Sequence, residues 1–480
     1  MLNRLAACLI EFADRPALLT PGRPVTYADL AALADQRARA LAQLDAGRVA
    51  YQLDNGTDWV VTNLALLLDR RTAIPIPSFF SAAQRDHVLE DSGADTFIGT
   101  EPPGTGWSEA ADGIWQRSTC PPPLPAGTAL ITYTSGTTGR PKGVCLDAST
   151  LLGTAHGIIE RLSPLGIERH MCVLPLSLLL ENVAGLLANI LNGGATVVAP
   201  LREVGLTGSS GIDLNRFVAA QIAAQPHSLI LVPQLLLALT TAAELGLELP
   251  SSYRFIAVGG ARVAPGLLAR ARAQGLPVYE GYGLTECGSV VSLNVPGADR
   301  PGTAGRPLPH VTLDCLDGEV VVTGPVHLGY ASEAALRQAE VRTGDIGHLD
   351  ADGFLHVQGR LRHHYISAYG RNISPEWIES ELTAELSIGQ AAVFGDGQPT
   401  NIALLVPRMN ADHAAIGTAV ETCNRRLPDY ARIGAWQRVE PDHFATLGCL
   451  TDNGRVRRER VADAFSETIN QLYASLLEYS

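Results

Sequence analysis

Lysine is almost missing from this chain. Of its 36 lysine and arginine residues one is a lysine, Lys142, and the remaining 35 are arginines. Arginine replaces lysine wherever a positive charge suffices, but a compact ammonium aimed at one oxygen is harder to replace with a wide, planar guanidinium. An arginine-biased composition accounts for the 35; it does not account for where the last lysine stands. Positive charge is also outnumbered, and the net charge of −13 excludes nucleic acid or an anionic membrane surface as the main partner. The eight cysteines (Cys8, Cys120, Cys145, Cys172, Cys287, Cys315, Cys423, Cys449) form no Cys-x-x-Cys pair, so neither a zinc site nor a disulfide framework is expected, and a reducing cytoplasm fits best. No signal peptide is read at the start, where Met1 to Glu11 has a short apolar patch and no cleavage site. The most apolar stretch, Met171 to Leu191, contains Pro175, Glu181, Asn182 and Asn189; it reads as a buried helix with its entry loop, and no membrane span is expected.

What is present is a large packed chain. At 480 residues, 46% hydrophobic and 18% charged, it calls for two or three domains. Thr26-Tyr27-Ala28-Asp29 reads as a capping box opening a helix with Leu30, Leu33, Leu41 and Leu44 on one face. Thr72 to Ile76 reads as a strand and Gln84 to Leu89 as a helix. This alternation continues past residue 300 and predicts an α/β fold with mostly parallel, helix-covered sheets. The run Pro121 to Pro125 reads as a stiff linker. Beyond Pro301, short β-like runs at Val311 to Leu313, Glu319 to Val322 and Phe354 to Val357 alternate with Asp-Gly turns at 317–318 and 352–353, which predicts a small β subdomain. The tail beyond Gly359 has its own pattern, with a helix from Ser374-Pro375 and a strand near Ala391.

Lys142 belongs to the string Tyr133-Thr-Ser-Gly-Thr-Thr-Gly-Arg-Pro-Lys-Gly143. Its glycines let backbone N–H groups approach phosphate oxygens; Ser135, Thr137 and Thr138 add hydroxyls, and Lys142 adds charge. It lacks the Gly-Lys-Ser/Thr ending of a Walker A loop. The string resembles the signature of the adenylate-forming superfamily, which comprises acyl-CoA synthetases, the adenylation domains of nonribosomal peptide synthetases, and luciferases. Further segments follow in the order of that family. Glu280-Gly-Tyr-Gly-Leu-Thr-Glu286 resembles its second signature: the Tyr282 ring can stack on a purine, Thr285 can contact the α-phosphate, and the Glu286 carboxylate can hold Mg2+. Arg342-Thr-Gly-Asp345 and Gly359-Arg360 resemble the segments whose Asp and Arg reach the ribose. Val258-Gly-Gly-Ala261 resembles the loop lining the adenine slot.

The resemblance runs from about Thr26 to Arg458 and implies a two-step reaction. A carboxylate attacks the α-phosphate of ATP, giving acyl-adenylate and pyrophosphate; a pantetheine thiol then displaces AMP. It implies an AMP-binding region over 1–359 and a small mobile α+β domain over 360–480, joined at Arg362, where the family usually has Asp or Lys. ATP and Mg2+ are the implied cofactors, with CoA or phosphopantetheine as co-substrate. The expected catalytic residues are Lys142, Thr285, Glu286 and Arg455, with Glu286 on the metal. The expected ATP contacts are Thr134, Ser135, Gly136, Thr137, Thr138, Gly139, Gly259, Gly260, Ala261, Glu280, Gly281, Tyr282, Gly283, Asp345 and Arg360. Leu178, Asn182 and Cys287 are expected at the acid pocket, and Gly370 at the thiol tunnel. The implied partners are a small carboxylic acid and CoA or a carrier protein, on a monomer or homodimer.

One departure matters. The family carries a second lysine near its C-terminus, which contacts the substrate carboxylate and α-phosphate; the matching segment Thr451-Asp-Asn-Gly-Arg-Val-Arg-Arg458 puts Arg455 there. Three readings stand at this point: Arg455 does the same work, the site relies on Lys142 and Mg2+, or Arg457 or Arg458 serves. The matching pocket stretch, Leu174 to Asn182, has no Asp to hold an amino group, and Leu178 stands where many relatives have an aromatic or His gate, so an alkyl or other apolar acid is expected. Glu181 and Asn182 read as pocket groups or, with more weight, as a helix cap or buried hydrogen bond. Ile74 to Ser81 resembles bacterial long-chain fatty acyl-CoA ligases. The leading expectation is a fatty or related acid ligase forming acyl-CoA. The alternatives are a biosynthetic adenylating enzyme loading a carrier protein, and a nucleotide-binding non-enzyme.

Overall fold

A computed structural model describes the chain except residues 120, 122, 135–140, 208–210, 332, 334–338, 409–410, 452–453 and 479–480. Two large sheets organise the first part. In one, the strands Val278–Leu284, Phe255–Val258, Ser228–Leu231, Arg169–Met171, Ala195–Val197 and Pro16–Leu19 run parallel in that order. In the other, Thr128–Thr134, Thr72–Pro75, Arg48–Gln52 and Thr96–Gly99 form the parallel centre. Both sheets end in antiparallel strands, among them Ser289–Leu293 and Lys142–Asp147. Parallel pairing thus makes the centres of both sheets, as expected, and antiparallel pairing, which needs no helical crossover, makes the edges.

The local signals place the helices. Thr26 and Asp29 exchange the two hydrogen bonds of a capping box at 3.0 and 3.3 Å, opening the helix Tyr27–Gln43. Its buried stripe is Leu30, Ala34 and Leu41; Leu33 is turned to solvent, because Ala34 lies closer to the centre of the stripe set by Leu30 and Leu41. Ser81 and Gln84 cap the helix Ala82–Ser92 in the same way. The apolar run 171–191 becomes the end of a strand, a loop, a π-helical segment Leu180–Leu187 and an α-helical turn Ala188–Leu191, largely buried in the core. Among the described residues no helix is long and apolar enough to cross a membrane.

The β subdomain is an antiparallel sheet of Thr312–Leu316, Glu319–Thr323, Glu340–Leu349 and Leu355–Arg360. The turn Asp317-Gly318 joins Leu316 directly to its partner Glu319. Beyond it, Ile388–Phe394, Asn401–Pro407 and Ile433–Arg438 form a three-stranded sheet. Ala391, Val393, Ala403 and Leu405 face one core, which includes the helices Pro375–Thr383 and His413–Arg426. Ala392, Leu404 and Val406 face another with Phe444 and Val461. This two-residue alternation between cores lets a small sheet be covered on both faces by residues of the tail alone.

Candidate active site

The site lies where strands of the first sheet end. The parallel strands Ser228–Leu231, Phe255–Val258 and Val278–Leu284 point their carboxyl ends at one crevice, the usual place for a ligand on an open parallel sheet. Gly259, Gly260 and Ala261 follow directly; Gly260 and Ala261 are exposed, and the Gly259 N–H is tied back to Leu231 O at 3.1 Å. The next strand carries Glu280 to Gly283. Its register shifts between Tyr282 and Gly283, and a Cβ at Gly283 would stand 1.7 Å from Ser289 O, so only glycine fits there. Thr285 and Glu286 lie in the single 3-10 turn that follows.

Opposite this crevice the β subdomain contributes two neighbouring strands. Asp345 and Arg360 face each other across the ladder. Arg360 Nε lies 2.9 Å from Asp345 Oδ1, and Arg360 Nη1 donates to Thr343 O at 2.9 Å. The Tyr282 hydroxyl donates to Asp345 Oδ2 at 2.5 Å, which fixes the ring of the second signature against the carboxylate of the third. Burial pushes the Asp345 carboxyl up and the Arg360 charge opposes it. Each Asp345 oxygen keeps a second lone pair able to accept a hydroxyl. Arg262 braces the joint, donating to Gln358 O at 2.6 Å.

Lys142 starts the strand Lys142–Asp147, and its ammonium is half-exposed, 3.5 Å from Glu333 and 5.2 Å from the centre of the Tyr330 ring. The Tyr330 hydroxyl donates to Glu286 Oε1 at 3.3 Å. Glu286 Oε2 and the Thr285 hydroxyl have no partner among the described residues. A half-buried carboxylate with one oxygen oriented and one free fits a hard divalent cation. The expected contacts Ser135, Gly136, Thr137, Thr138 and Gly139 lie outside the described residues; Thr134 pairs with Lys142 through its backbone.

Arg455 comes from the tail. The Thr451 hydroxyl accepts from its N–H, and its guanidinium donates to Gly260 O across the cleft. Arg455 Nη2, Val232 and Leu180 are the nearest groups to the space above Gly260. Arg458 is committed elsewhere, to Glu379 at 2.6 Å and to Val393 O. Arg455 thus reaches the crevice, and Arg458 does not. Gly370 sits in an exposed turn closed by its own N–H to Ser367 O at 2.8 Å.

Residues 7–330 match the family model of AMP-binding enzymes, and residues 364–477 match that of the AMP-binding enzyme C-terminal domain. The chain belongs to the AMP-binding enzyme family. Over 98% of its length it is 28% identical to a probable CoA ligase of Humulus lupulus, covering 97% of that protein. It is 30% identical to indoleacetate–CoA ligase of Aromatoleum aromaticum, over 81% of this chain and 85% of the relative. Among solved structures, o-succinylbenzoate CoA synthetase from Bacillus subtilis, in complex with its acyl-adenylate intermediate, is similar with a TM-score of 0.75 and 25% identity, over 96% of this chain and 97% of the other. The same synthetase has been solved with ATP and a magnesium ion.

On the acid side of this AMP-binding enzyme, the three expected pocket residues are placed differently. Leu178 is partly exposed. The Asn182 carbonyl accepts from Asn63 Nδ2 at 3.1 Å in the core, where Asn63 also accepts from Tyr51, so this amide serves a buried hydrogen bond. Cys287 is fully buried in the main core, and burial pushes its thiol up. Sequence reasoning missed Val232, Leu180 and Tyr330. Val232 follows a parallel strand at its carboxyl end, which is a signal that could have found it. Tyr330 carried no local signal.

Glu280 is partly buried beneath the crevice, and the loss of solvent there raises its carboxyl to about 7, with an N–H of Gly302 and Arg272 opposing. A raised carboxyl contributes stability that is complete below the unfolded value and is lost as pH rises through the folded one. The stability of Glu280→Gln relative to the parent should therefore rise by about 2–3 kcal/mol from below pH 4.5 to above pH 7. Urea unfolding of both proteins at several pH values checks this; parallel curves would refute it.

Proposed function

We propose that this chain is an AMP-forming acid–CoA ligase that activates an apolar carboxylic acid. The observation that carries the reading is the arrival of Arg455 at Gly260, which closes a ring of functional groups otherwise supplied by the first part alone. Asp345 and Arg360 hold the ribose, Gly259 to Ala261 and Tyr282 frame the adenine, and Lys142 faces the β- and γ-phosphates. Arg455 pairs with the acid carboxylate and the α-phosphate, aligning the attacking oxygen and neutralising charge as the pentavalent phosphorus forms. Mg2+, held by Glu286, supplies charge neutralisation on the phosphate oxygens when bound. Pyrophosphate leaves past Lys142. A CoA thiol then attacks the acyl carbonyl, the thiol loses its proton, and AMP departs.

The pivot at Arg362 is supported by the bonding on either side of it, although Arg360 still belongs to the last strand of the β subdomain. The Leu361 N–H is held by Gly344 O at 2.8 Å in the β subdomain, whereas the His363 ring is held by Glu376 in the tail. Arg362 stands between these two attachments, which suits a pivot. With Arg455 in the crevice and the Gly370 turn outside, the arrangement is that of the first half-reaction. An apolar acid is supported by Leu180 and Val232 beside the crevice, and by the absence of a carboxylate in the stretch 174–180.

The test is ATP–pyrophosphate exchange with alkyl, aryl and amino acids, followed by CoA-dependent AMP release. Exchange is expected with apolar acids and not with free amino acids. A protein that exchanges with none of them would overturn the reading.

A further inference from the structure

Tyr330 touches both groups that meet the leaving pyrophosphate. It belongs to the strand Gly329–Tyr330, which pairs at the edge of the second sheet with Lys142–Asp147, so Tyr330 lies opposite Val144. The pairing is held on both sides, by Leu328 N–H to Cys145 O and Ala331 N–H to Gly143 O, each 2.8 Å. The segment is also tied to the second signature, since the His327 N–H donates to Glu286 O at 2.7 Å. These bonds hold the Tyr330 backbone beside those of the Lys142 strand and of Glu286. Its face lies 5.2 Å from the Lys142 ammonium, within the range of a cation–π contact, and its hydroxyl donates to Glu286 Oε1 at 3.3 Å. The His327 ring packs on its other side, 5.1 Å between centres.

We propose that Tyr330 is a positioning residue for adenylation: its ring seats the only lysine of the chain, and its hydroxyl holds Glu286 Oε1 so that Oε2 stays free to take a divalent cation. The proposal rests on the acid–CoA ligase reading for the reaction, but not for its test on nucleotide binding. The two contacts are separable. Tyr330→Phe keeps the ring and loses the hydroxyl; Tyr330→Leu loses both. Burial and the neighbouring Glu286 charge push the phenol up to about 12, so at neutral pH it is a donor.

The readouts are the Mg2+ dependence of ATP–pyrophosphate exchange, and calorimetric ATP binding with Mg2+ and with EDTA. Removing a hydrogen bond to a carboxylate is expected to raise the half-saturating Mg2+ concentration about 5–10-fold in Tyr330→Phe, with the maximal rate changed less than about threefold. ATP binding in EDTA should be unchanged in that variant. Tyr330→Leu should also weaken ATP binding in EDTA by about 3–10-fold, because the ammonium loses its seat, and excess Mg2+ should not restore its rate. A merely structural role would lower melting temperature and maximal rate in both variants and leave the Mg2+ dependence as in the parent; that result, or identical behaviour of the two variants, overturns the proposal. If the parent exchanges with no acid while the Phe variant still loses Mg2+-dependent ATP binding, the ligase reading fails and the assignment of Tyr330 stands.

Discussion

Arg455→Ala is expected to slow acyl-adenylate formation by about 10²–10³-fold, the range for removing one preorganised donor from a developing negative charge. Thioester formation from supplied acyl-adenylate should change less than about threefold, since that step no longer needs the carboxylate and α-phosphate held together. The asymmetry follows from placement. Arg455 is carried by the tail, reaches the crevice at Gly260, and shares its surroundings there with apolar Leu180 and Val232. Loss of solvent around its guanidinium in the cleft, and then the Arg360 charge, push its pKa down, although the residue as a whole is exposed. Two guanidiniums facing one cleft repel until an anion enters between them, which favours binding of a phosphate there. Arg455→Lys should recover part of the rate, because a point charge restores attraction without the forked geometry. Arg458→Ala is no substitute control, for it would break the Glu379 contact inside the tail. ATP–pyrophosphate exchange and single-turnover thioester formation decide the matter: equal losses in both half-reactions would remove Arg455 from the first.

The parts of this site that were legible in the sequence are those fixed by short spans. The capping boxes at Thr26 and Ser81 and the hairpin at Asp317 close within three or four residues, so residue identity alone determines them. The signatures around Lys142, Glu286, Asp345 and Arg360 were legible as strings. The structure adds that two of them are cross-strand partners, a fact of register that spacing does not reveal. Tyr330 illustrates the limit. Its partner Lys142 belongs to a strand of the second sheet and Glu286 to a turn between two strands of the first, and a strand of two residues brings it to both. Leu33 fails for a simpler reason: alanine fills the core-facing position, and a reading by leucine alone skips it. Asn182 was weighed as pocket group or buried hydrogen bond, and its bond to Asn63 is of the second kind.

Glu181→Ala is expected to cost about 3–5 kcal/mol of stability, because two buried groups lose their only acceptor and a cavity remains. Glu181 is wholly buried at the start of the π-helical segment. Oε1 meets His170 Nε2 at 2.7 Å and Oε2 accepts the Leu174 N–H at 2.9 Å, while the other His170 nitrogen meets Ser228 Oγ at 3.0 Å. Gly185 makes room for this network, since a Cβ there would lie 2.3 Å from Glu181 Oε1 and 2.5 Å from His170 Nε2. The cluster of His170, Cys172 and Glu181 is thus closed on itself and joins the strands Arg169–Met171 and Ser228–Leu231 to the segment that delivers Leu180 to the crevice. A cavity lined by His170, Gly185 and Ser228 among others, with about 50 Å³ open to water, has room for water beside this network. Water entering from it would hold the loss to the lower end of the range. Glu181→Gln, which keeps the shape and one acceptor, should cost only about 1–2 kcal/mol. Because the network anchors the acid-side segment and no ATP contact, the surviving activity of Glu181→Gln should show a raised KM for the acid with an unchanged KM for ATP. Urea unfolding within about 1 kcal/mol of the parent for Glu181→Ala, or an ATP KM that rises with the acid KM in Glu181→Gln, would show that the network does not hold the acid side in place.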